Sequence, residues 1–366
     1  MCIVLLTTSH PKYALIAIDN RDEYILRPTS KPHWWTTQAE SSSLSKPVEV
    51  EVLSSRDLQR AEHGTWLGIT KGGNFAVLTN YRETDTHDMA NPVHGKRSRG
   101  GIVTAWLAAD PEEPTESFTR RMVESGDVKG VGGFSLICGK LRKAKGSREL
   151  EPLAILSNRH NHKDHIPWIC DKRGSVYGLS NATYVRDVDD EPLWPKIQKG
   201  SDALAQTISD AIERDLSEEA LCDDLFKILD KDDFPANHGM DLEEGIPLLK
   251  HSIFVPAFGG QQHQREMEEA RLSGRPELTE NGPAGEELAG QPDTSFTGFQ
   301  TGLYGTQRQT LVLVDWEGNV SYTERSLWDS NGNAILRGAG DVKFNFRIDG
   351  WELEEVSDVG TGLYWT

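Results

Sequence analysis

Cys2 is the residue of this chain best suited to covalent chemistry. Removal of Met1 would leave it carrying a thiol and a free α-amine together. The thiolate is a strong nucleophile, and an α-amino group with a pKa near ~8 can act as its general base. Such a site needs a group to hold the amine, donors for an oxyanion and something to orient the backbone. Asp22, in Asp19-Asn20-Arg21-Asp22-Glu23, suits the first role, because a carboxylate beside an ammonium fixes its orientation. Asn80, in Leu78-Thr79-Asn80-Tyr81-Arg82, and Asn181, in Gly178-Leu179-Ser180-Asn181, each close a predicted strand. An asparagine there can present N–H donors, and one oxyanion donor is worth ~3–4 kcal/mol of barrier. Arg308 precedes an apolar strand and could aim its guanidinium into the same cleft. Each has a plainer reading as a turn asparagine, a surface arginine or a capping aspartate, and buried structural cysteines are common.

The elements that must position these residues are legible from hydrophobic periodicity. Apolar runs at 2–8 and 13–19 flank the turn Ser9-His10-Pro11-Lys12, which predicts a hairpin that holds Cys2 at a strand end. A second hairpin is expected at 65–70 and 75–80 around Lys71-Gly72-Gly73-Asn74. Helices follow at 102–109 and 115–125, short strands at 134–139, 153–156 and 176–181, and a helical stretch at 201–229 broken near Ser217. Strands return at 252–256, 309–315, 320–325 and 343–348. Strands in runs, then helices, then strands favour an α+β fold with antiparallel sheets over a doubly wound one. Residues 259–297, rich in Gly, Pro, Glu and Gln, are expected as a flexible insertion, and 36–60 as a partly ordered one.

Composition narrows the function class. A hydrophobic content of 37% with ten tryptophans is globular, and a formal charge of −18 argues against a nucleic-acid partner or a polybasic membrane contact. Cys2, Cys138, Cys170 and Cys222 are widely spaced with no C-x-x-C pair, so a disulfide framework or zinc ribbon is not expected and a reducing compartment is. Cys138 and Cys170 read as packing residues. Ile3-Val4-Leu5-Leu6 is too short for a signal or membrane segment, so a soluble intracellular protein is expected. The cluster His160-x-His162-x-x-His165 lies in a charged, Asn-containing stretch and reads as a solvated loop rather than a metal site. The aromatics His33-Trp34-Trp35 and Trp66 read as cover for a sheet face.

Taken in order, Met1-Cys2-Ile3-Val4 and Asn20-Arg21-Asp22-Glu23 with Arg27-Pro28 behind it resemble the NRDE family, named for that tetrapeptide. Colinear matches continue through Gly64-Thr65-Trp66-Leu67-Gly68, Leu78-Thr79-Asn80-Tyr81-Arg82, Ser98-Arg99-Gly100, Gly133-Phe134-Ser135-Leu136, Gly178-Leu179-Ser180-Asn181, Trp194-Pro195-Lys196 and Tyr304-Gly305-Thr306. The resemblance implies one domain over residues 1–366, a four-layer αββα sandwich of two antiparallel sheets of the N-terminal-nucleophile (Ntn) hydrolase kind. It looks most like the cysteine branch that contains choloylglycine hydrolases and penicillin V acylases. In that branch the roles fall on Cys2 as nucleophile and base, Asp22 beside it, Asn181 as oxyanion donor, Asn80 as a second donor and Arg308 in the pocket. Asn20, Arg21 and Trp66 are candidate ligand contacts. The acylases carry an arginine near the nucleophile where this chain has Asp19, and Arg21 is expected by strand alternation to face the other side.

For function, the resemblance implies Golgi organisation, secretory transport and haem or lipid homeostasis through an apolar pocket, with no bound cofactor. The expected partner is a small apolar or acyl ligand, haem included, and the expected location is the cytoplasm, with Golgi or mitochondrial association through protein partners. The alternative is an active Cys2 hydrolase that cleaves an amide or thioester of an acyl substrate.

Overall fold

The computed structural model describes residues 2–39, 47–83, 97–126, 128, 130–144, 146–159, 166–182, 184, 193–235, 239–274 and 301–352. Two antiparallel sheets stack face to face, with helices on both outer faces, giving a four-layer αββα sandwich of the α+β class. Numbering runs in chain order. The six-stranded sheet, in the order β10-β1-β2-β11-β12-β13, comprises β1 (Ile3–Thr7), β2 (Tyr13–Tyr24), β10 (Val176–Leu179), β11 (Tyr304–Asp315), β12 (Asn319–Ser326) and β13 (Asp341–Arg347). The seven-stranded sheet runs β3 (His33–Ala39), β4 (Val48–Ser54), β5 (Leu67–Thr70), β6 (Asn74–Asn80), β7 (Phe134–Lys140), β8 (Leu153–Ser157) and β9 (Trp168–Ile169).

Strand alternation builds the layers. On β1, Val4 and Leu6 pack between the sheets against Ile69, Phe75 and Val77, while Ile3 and Leu5 face outward onto α3 (Pro195–Glu213) and α4 (Glu218–Leu229). On the other sheet, Ala76, Leu78, Leu136 and Cys138 face α1 (Gly100–Leu107) and α2 (Thr115–Ser125), where Trp106 and Phe118 are wholly buried. Sheets buried on both faces need apolar residues at successive positions, which is why these strands read as unbroken apolar runs. Each fully buried Leu or Ile contributes ~1.5–3 kcal/mol.

Helix ends follow their local chemistry. Pro195 occupies the first turn of α3, a position where its missing N–H and fixed φ cost nothing, so this helix starts earlier than periodicity predicts. The Ser217 hydroxyl caps α4 by accepting from the Ala220 N–H at 3.3 Å.

One predicted strand is not observed, and the two expected insertions contain regular elements. Residues 252–256 form no strand; the stretch instead joins β11 locally, with the Val255 N–H donating to Thr306 Oγ1 at 2.8 Å. Within 36–60, β3 and β4 pair from His33↔Ser54 to Ala39↔Val48, a register that completes the edge of the seven-stranded sheet. Within 259–297, Gln261–Ser273 is helical (α6, after the short α5 at Leu242–Gly245), seated by the buried Met267 and Ala270; residues 275–300 lie outside the described residues. The histidine cluster at 160–165 also lies outside them.

Candidate functional site

The β1–β2 register fixes the neighbourhood of Cys2. Ile3 lies opposite Asn20 and Val4 opposite Asp19, which brings Cys2, one step earlier, alongside Arg21. Cys2 is buried, its carbonyl accepts from Ser180 Oγ at 2.8 Å, and its sulfur receives a hydrogen bond from the Asp22 backbone amide. Burial pushes its thiol up to about 11, and the nearby Asp19 and Asp22 charges act in the same direction. Asp22 accepts from Thr306 Oγ1 at 2.7 Å through its side chain and from the Tyr304 hydroxyl at 2.9 Å through its carbonyl. Burial raises its carboxyl, with Lys196 and the Thr306 hydroxyl opposing the rise.

Arg21 corrects the expected orientation. It shares an open cavity with Cys2, its guanidinium stacks 4.2 Å from the Trp66 ring centroid, and it donates to Gln307 Oε1. Residues two apart on a strand share a face, so Asp19 and Arg21 lie together on the side of Cys2 and Asn20 points away. Asp19 is buried with neither carboxylate oxygen hydrogen-bonded among the described residues, and burial, reinforced by Asp22 and Glu324, drives its carboxyl well above the usual range.

The cavity holds about 600 Å³. Besides Cys2, Asp22, Asn80 and Trp66, its wall carries six arginines, Arg21, Arg27, Arg60, Arg82, Arg97 and Arg99, in a chain whose net charge is −18. Arg27 is neutralised by Asp57 at 2.6 Å and by Glu23 at 3.9 Å, and Glu83, which also lines the cavity, pairs with Arg159 at 2.7 Å. Arg82 and Arg99 differ. Among the described residues, each donates only to a main-chain carbonyl, Pro247 O at 3.5 Å and Gly133 O at 3.3 Å respectively. Desolvation pulls both guanidinium groups down, Arg99 to about 10. The wall is pinned by two glycines: a Cβ on Gly64 would lie 2.6 Å from the Gly100 carbonyl carbon, and one on Gly100 would lie 2.9 Å from the Thr65 carbonyl oxygen. Only bare backbones approach so closely, and the contact joins the two segments that bring Trp66 and Arg99 to the wall.

The predicted site residues therefore divide. Asn181 Nδ2 donates to the Asn80 carbonyl at 2.5 Å, and its Oδ1 accepts from Ser180 Oγ at 3.1 Å, so the two asparagines meet beside Cys2 and Asn80 faces the cavity. Asn20 lies on the outer face, where Nδ2 ties the carbonyls of Leu229 and Ile253 at 2.8 and 2.9 Å; it is a brace between sheet and helix layers, not a cavity contact. Arg308 does not line the cavity either. It is buried between the sheets, paired with Glu324 at 2.9 Å and with Ser326 Oγ at 2.6 Å, and Glu324 also accepts from Ser55 and Tyr322. A buried guanidinium takes the nearest carboxylate, and the β11–β12 ladder supplies one.

The family described as Transport and Golgi organisation 2 matches residues 1–329, nearly the entire described chain. The chain belongs to this family. It is 28% identical to the Transport and Golgi organization protein 2 homolog of Bos taurus and 27% identical to that of Homo sapiens, over 90% of this chain and 95% of each relative. An uncharacterized protein of Saccharomyces cerevisiae is 23% identical over 95% of this chain and 100% of its own. Among solved structures, a conjugated bile acid hydrolase from Clostridium perfringens overlaps 97% of this chain and all of its own at 10% identity, with a TM-score of 0.39.

No role for Arg82, Arg99, Thr306 or Lys196 follows from the sequence alone. Three of the colinear motifs, Leu78-Thr79-Asn80-Tyr81-Arg82, Ser98-Arg99-Gly100 and Tyr304-Gly305-Thr306, nevertheless converge here. Their colinearity was the available signal. Among the described residues no helix is long and apolar enough to cross a membrane, and no group of three or more His, Cys, Asp and Glu is arranged to hold a metal ion.

Proposed function

We propose that this family member serves Golgi organisation and secretory transport by holding a small acyl or haem-like ligand in the arginine-walled cavity beside Cys2. The observation that carries the reading is the pair Arg82 and Arg99, two cavity guanidinium groups without a carboxylate partner among the described residues. A charge-assisted hydrogen bond contributes about 1.5–3 kcal/mol, so the acid group of such a ligand would find its strongest partners there. The apolar part would lie along Trp66, Leu78 and Leu249, which line the same space. The test is calorimetric titration of the purified protein with haem and with a long-chain acyl-CoA. Saturable binding of one of them, weakened at least about tenfold by Arg99→Leu or Arg82→Leu, is expected. Absence of saturable binding to both would end the reading.

A second reading is supported by the placement of Cys2 on that cavity with the Asp22 amide at its sulfur. Here Met1 is removed and the sulfur attacks the acyl carbonyl of an amide or thioester. The α-amine takes the thiol proton and passes it to the leaving amine or thiol, and water then releases the acid from the thioester formed on Cys2. Asn80, which lines the cavity, and Asn181, whose Nδ2 would have to turn from the Asn80 carbonyl, would be the oxyanion donors. Release of free thiol from the acyl-CoA by the wild type but not by Cys2→Ala would favour this reading over binding alone.

A further inference from the structure

Arg21 and Asp22 are consecutive on β2, so their side chains leave the strand on opposite faces. Both are nevertheless gripped from one neighbouring strand. β11 sets Thr306 opposite Asp22 and Arg308 opposite Arg21, two steps along one strand against one along the other, so Gln307 is the extra residue of a β-bulge. Thr306 Oγ1 donates to the Asp22 carboxylate at 2.7 Å, and Gln307 Oε1 accepts from Arg21. The bulge is itself secured. The Thr306 carbonyl accepts from Trp328 Nε1 and the Gln307 carbonyl from the Leu327 N–H, both at 3.1 Å.

Gln307 also ties down the turn that follows β2. Its Nε2 donates to the carbonyls of Ile25 at 3.1 Å and Arg27 at 3.2 Å. An amide side chain has one acceptor oxygen and one NH2 group. With the NH2 committed to main-chain carbonyls, the oxygen is left for Arg21. On its other side the Arg21 guanidinium lies 4.2 Å from the Trp66 ring centroid. Arg21 is therefore held between an indole face and an amide oxygen, and both are neutral.

The neutral grip matters because of where the carboxylates go. Asp57 and Glu23 pair with Arg27, and among the described residues no carboxylate comes within ion-pair distance of Arg21. A guanidinium that is buried on a cavity wall with only a neutral acceptor is disfavoured until an anion joins it. Arg21 thus joins Arg82 and Arg99 as a cavity cation without a carboxylate, with the difference that its place is fixed from two sides.

We propose that Arg21 is a third cavity cation that meets the acid group of the ligand, and that Gln307, at the β-bulge, is the positioning residue that aims it. This rests on the reading in which the arginine-walled cavity holds an acidic ligand. Gln307 does not line the cavity, and it acts through Arg21.

The test combines Gln307→Leu with Arg21→Leu, singly and together, and is read in two ways. The first is calorimetric titration with palmitoyl-CoA and with haem. Gln307→Leu is expected to weaken binding about tenfold when Arg21 is present and to change nothing in the Arg21→Leu background. Equal losses in both backgrounds would overturn the positioning role, and an unchanged affinity in Arg21→Leu would remove Arg21 as a ligand contact. The second is the fluorine NMR resonance of Trp66 in ligand-free, fluorotryptophan-labelled protein, assigned by its loss in Trp66→Phe. Gln307→Leu should move it toward its position in Arg21→Leu, and an unmoved resonance would overturn the proposal. If the wild type binds neither probe, the ligand reading falls, and the Trp66 resonance still decides whether Gln307 positions Arg21. Should Gln307→Leu not fold, Gln307→Glu takes its place. Its carboxylate keeps an acceptor for Arg21 but neutralises the cation, so the Trp66 resonance should hold while affinity for the acidic probe falls. An unchanged affinity there would count against the proposal.

Discussion

The main-chain amide of Asp22 donates to the sulfur of Cys2, joining the start of β1 to the end of β2 at the cavity wall. The contact is made by backbone, so it follows from the hairpin register and not from the charge of the Asp22 side chain. Cys2 is thereby presented to the cavity while remaining buried enough that its thiol is pushed up to about 11.

From that value follows the reactivity of the thiol. Thiolate is the attacking form, so alkylation of Cys2 by iodoacetamide should accelerate about tenfold for each pH unit between 7 and 10. Cys138, which burial pushes up to about 12 inside the α1–α2 layer, should remain unlabelled in the folded protein. Peptide mass spectrometry across a pH series reads both. A Cys2 rate already level by pH 8 would show that a neighbouring base, rather than burial, governs the thiol.

Asp19 makes stability depend on pH in the opposite sense to a salt-bridged carboxylate. Its folded-state pKa is raised, so the native state binds the proton more tightly than the unfolded chain. The contribution of Asp19 is fully present below the unfolded value near ~3.9 and is lost as pH rises through the folded value. Asp19→Asn cannot ionise, so its stability relative to wild type should improve from pH 4 upward, by at most about 1.4 kcal/mol per unit. Urea unfolding at several pH values checks this, and a constant difference between the two proteins would contradict it.

Arg308 should matter to folding rather than to the cavity. Arg308→Met leaves Glu324 buried and without its guanidinium, which costs about 3–5 kcal/mol. Pairing it with Glu324→Gln should recover part of the loss, because both charges are then gone. The Cys2 alkylation rate should be unchanged in the double variant. Equal losses in single and double variants would remove the ion pair as the cause.

Gly64→Ala tests how the wall is built. Its Cβ would meet the Gly100 backbone at 2.6 Å, so either the Trp66 or the Arg99 segment must shift. Overpacking of this kind costs about 1–3 kcal/mol. Stability measured by urea should fall by that amount, and Trp66 fluorescence should change as Arg21 loses its stacked position. An unperturbed spectrum would show that the two segments are not coupled.

Much of the molecule could be read directly. The apolar runs of β1, β2, β6, β7 and β12 and the helical spacing of α2 and α4 are set by local periodicity, and period alone assigns strand or helix. The colinear motifs carried the family and the layered fold. What periodicity could not assign was partnership across the sheets. Arg308 and Arg82 are both arginines at strand ends or within strands, yet one finds Glu324 on the adjacent strand and the other, among the described residues, finds only the Pro247 carbonyl. The difference is a matter of which carboxylate the fold delivers, and residues far apart in the chain deliver it.

By itself, the sequence determined that Cys2 opens a buried strand, that Asp22 follows on its hairpin partner and that the glycine motifs recur in order. Only the tertiary structure decided that Arg21 shares the face of Cys2, that Arg308 belongs to the interior, and that Arg82 and Arg99 wall the cavity. It also decided that Lys196, at the start of α3, is wholly buried. The reason is physical: secondary structure answers to neighbours within a few residues, whereas the partner of a buried charge is whatever the packed sheets bring within a few ångströms.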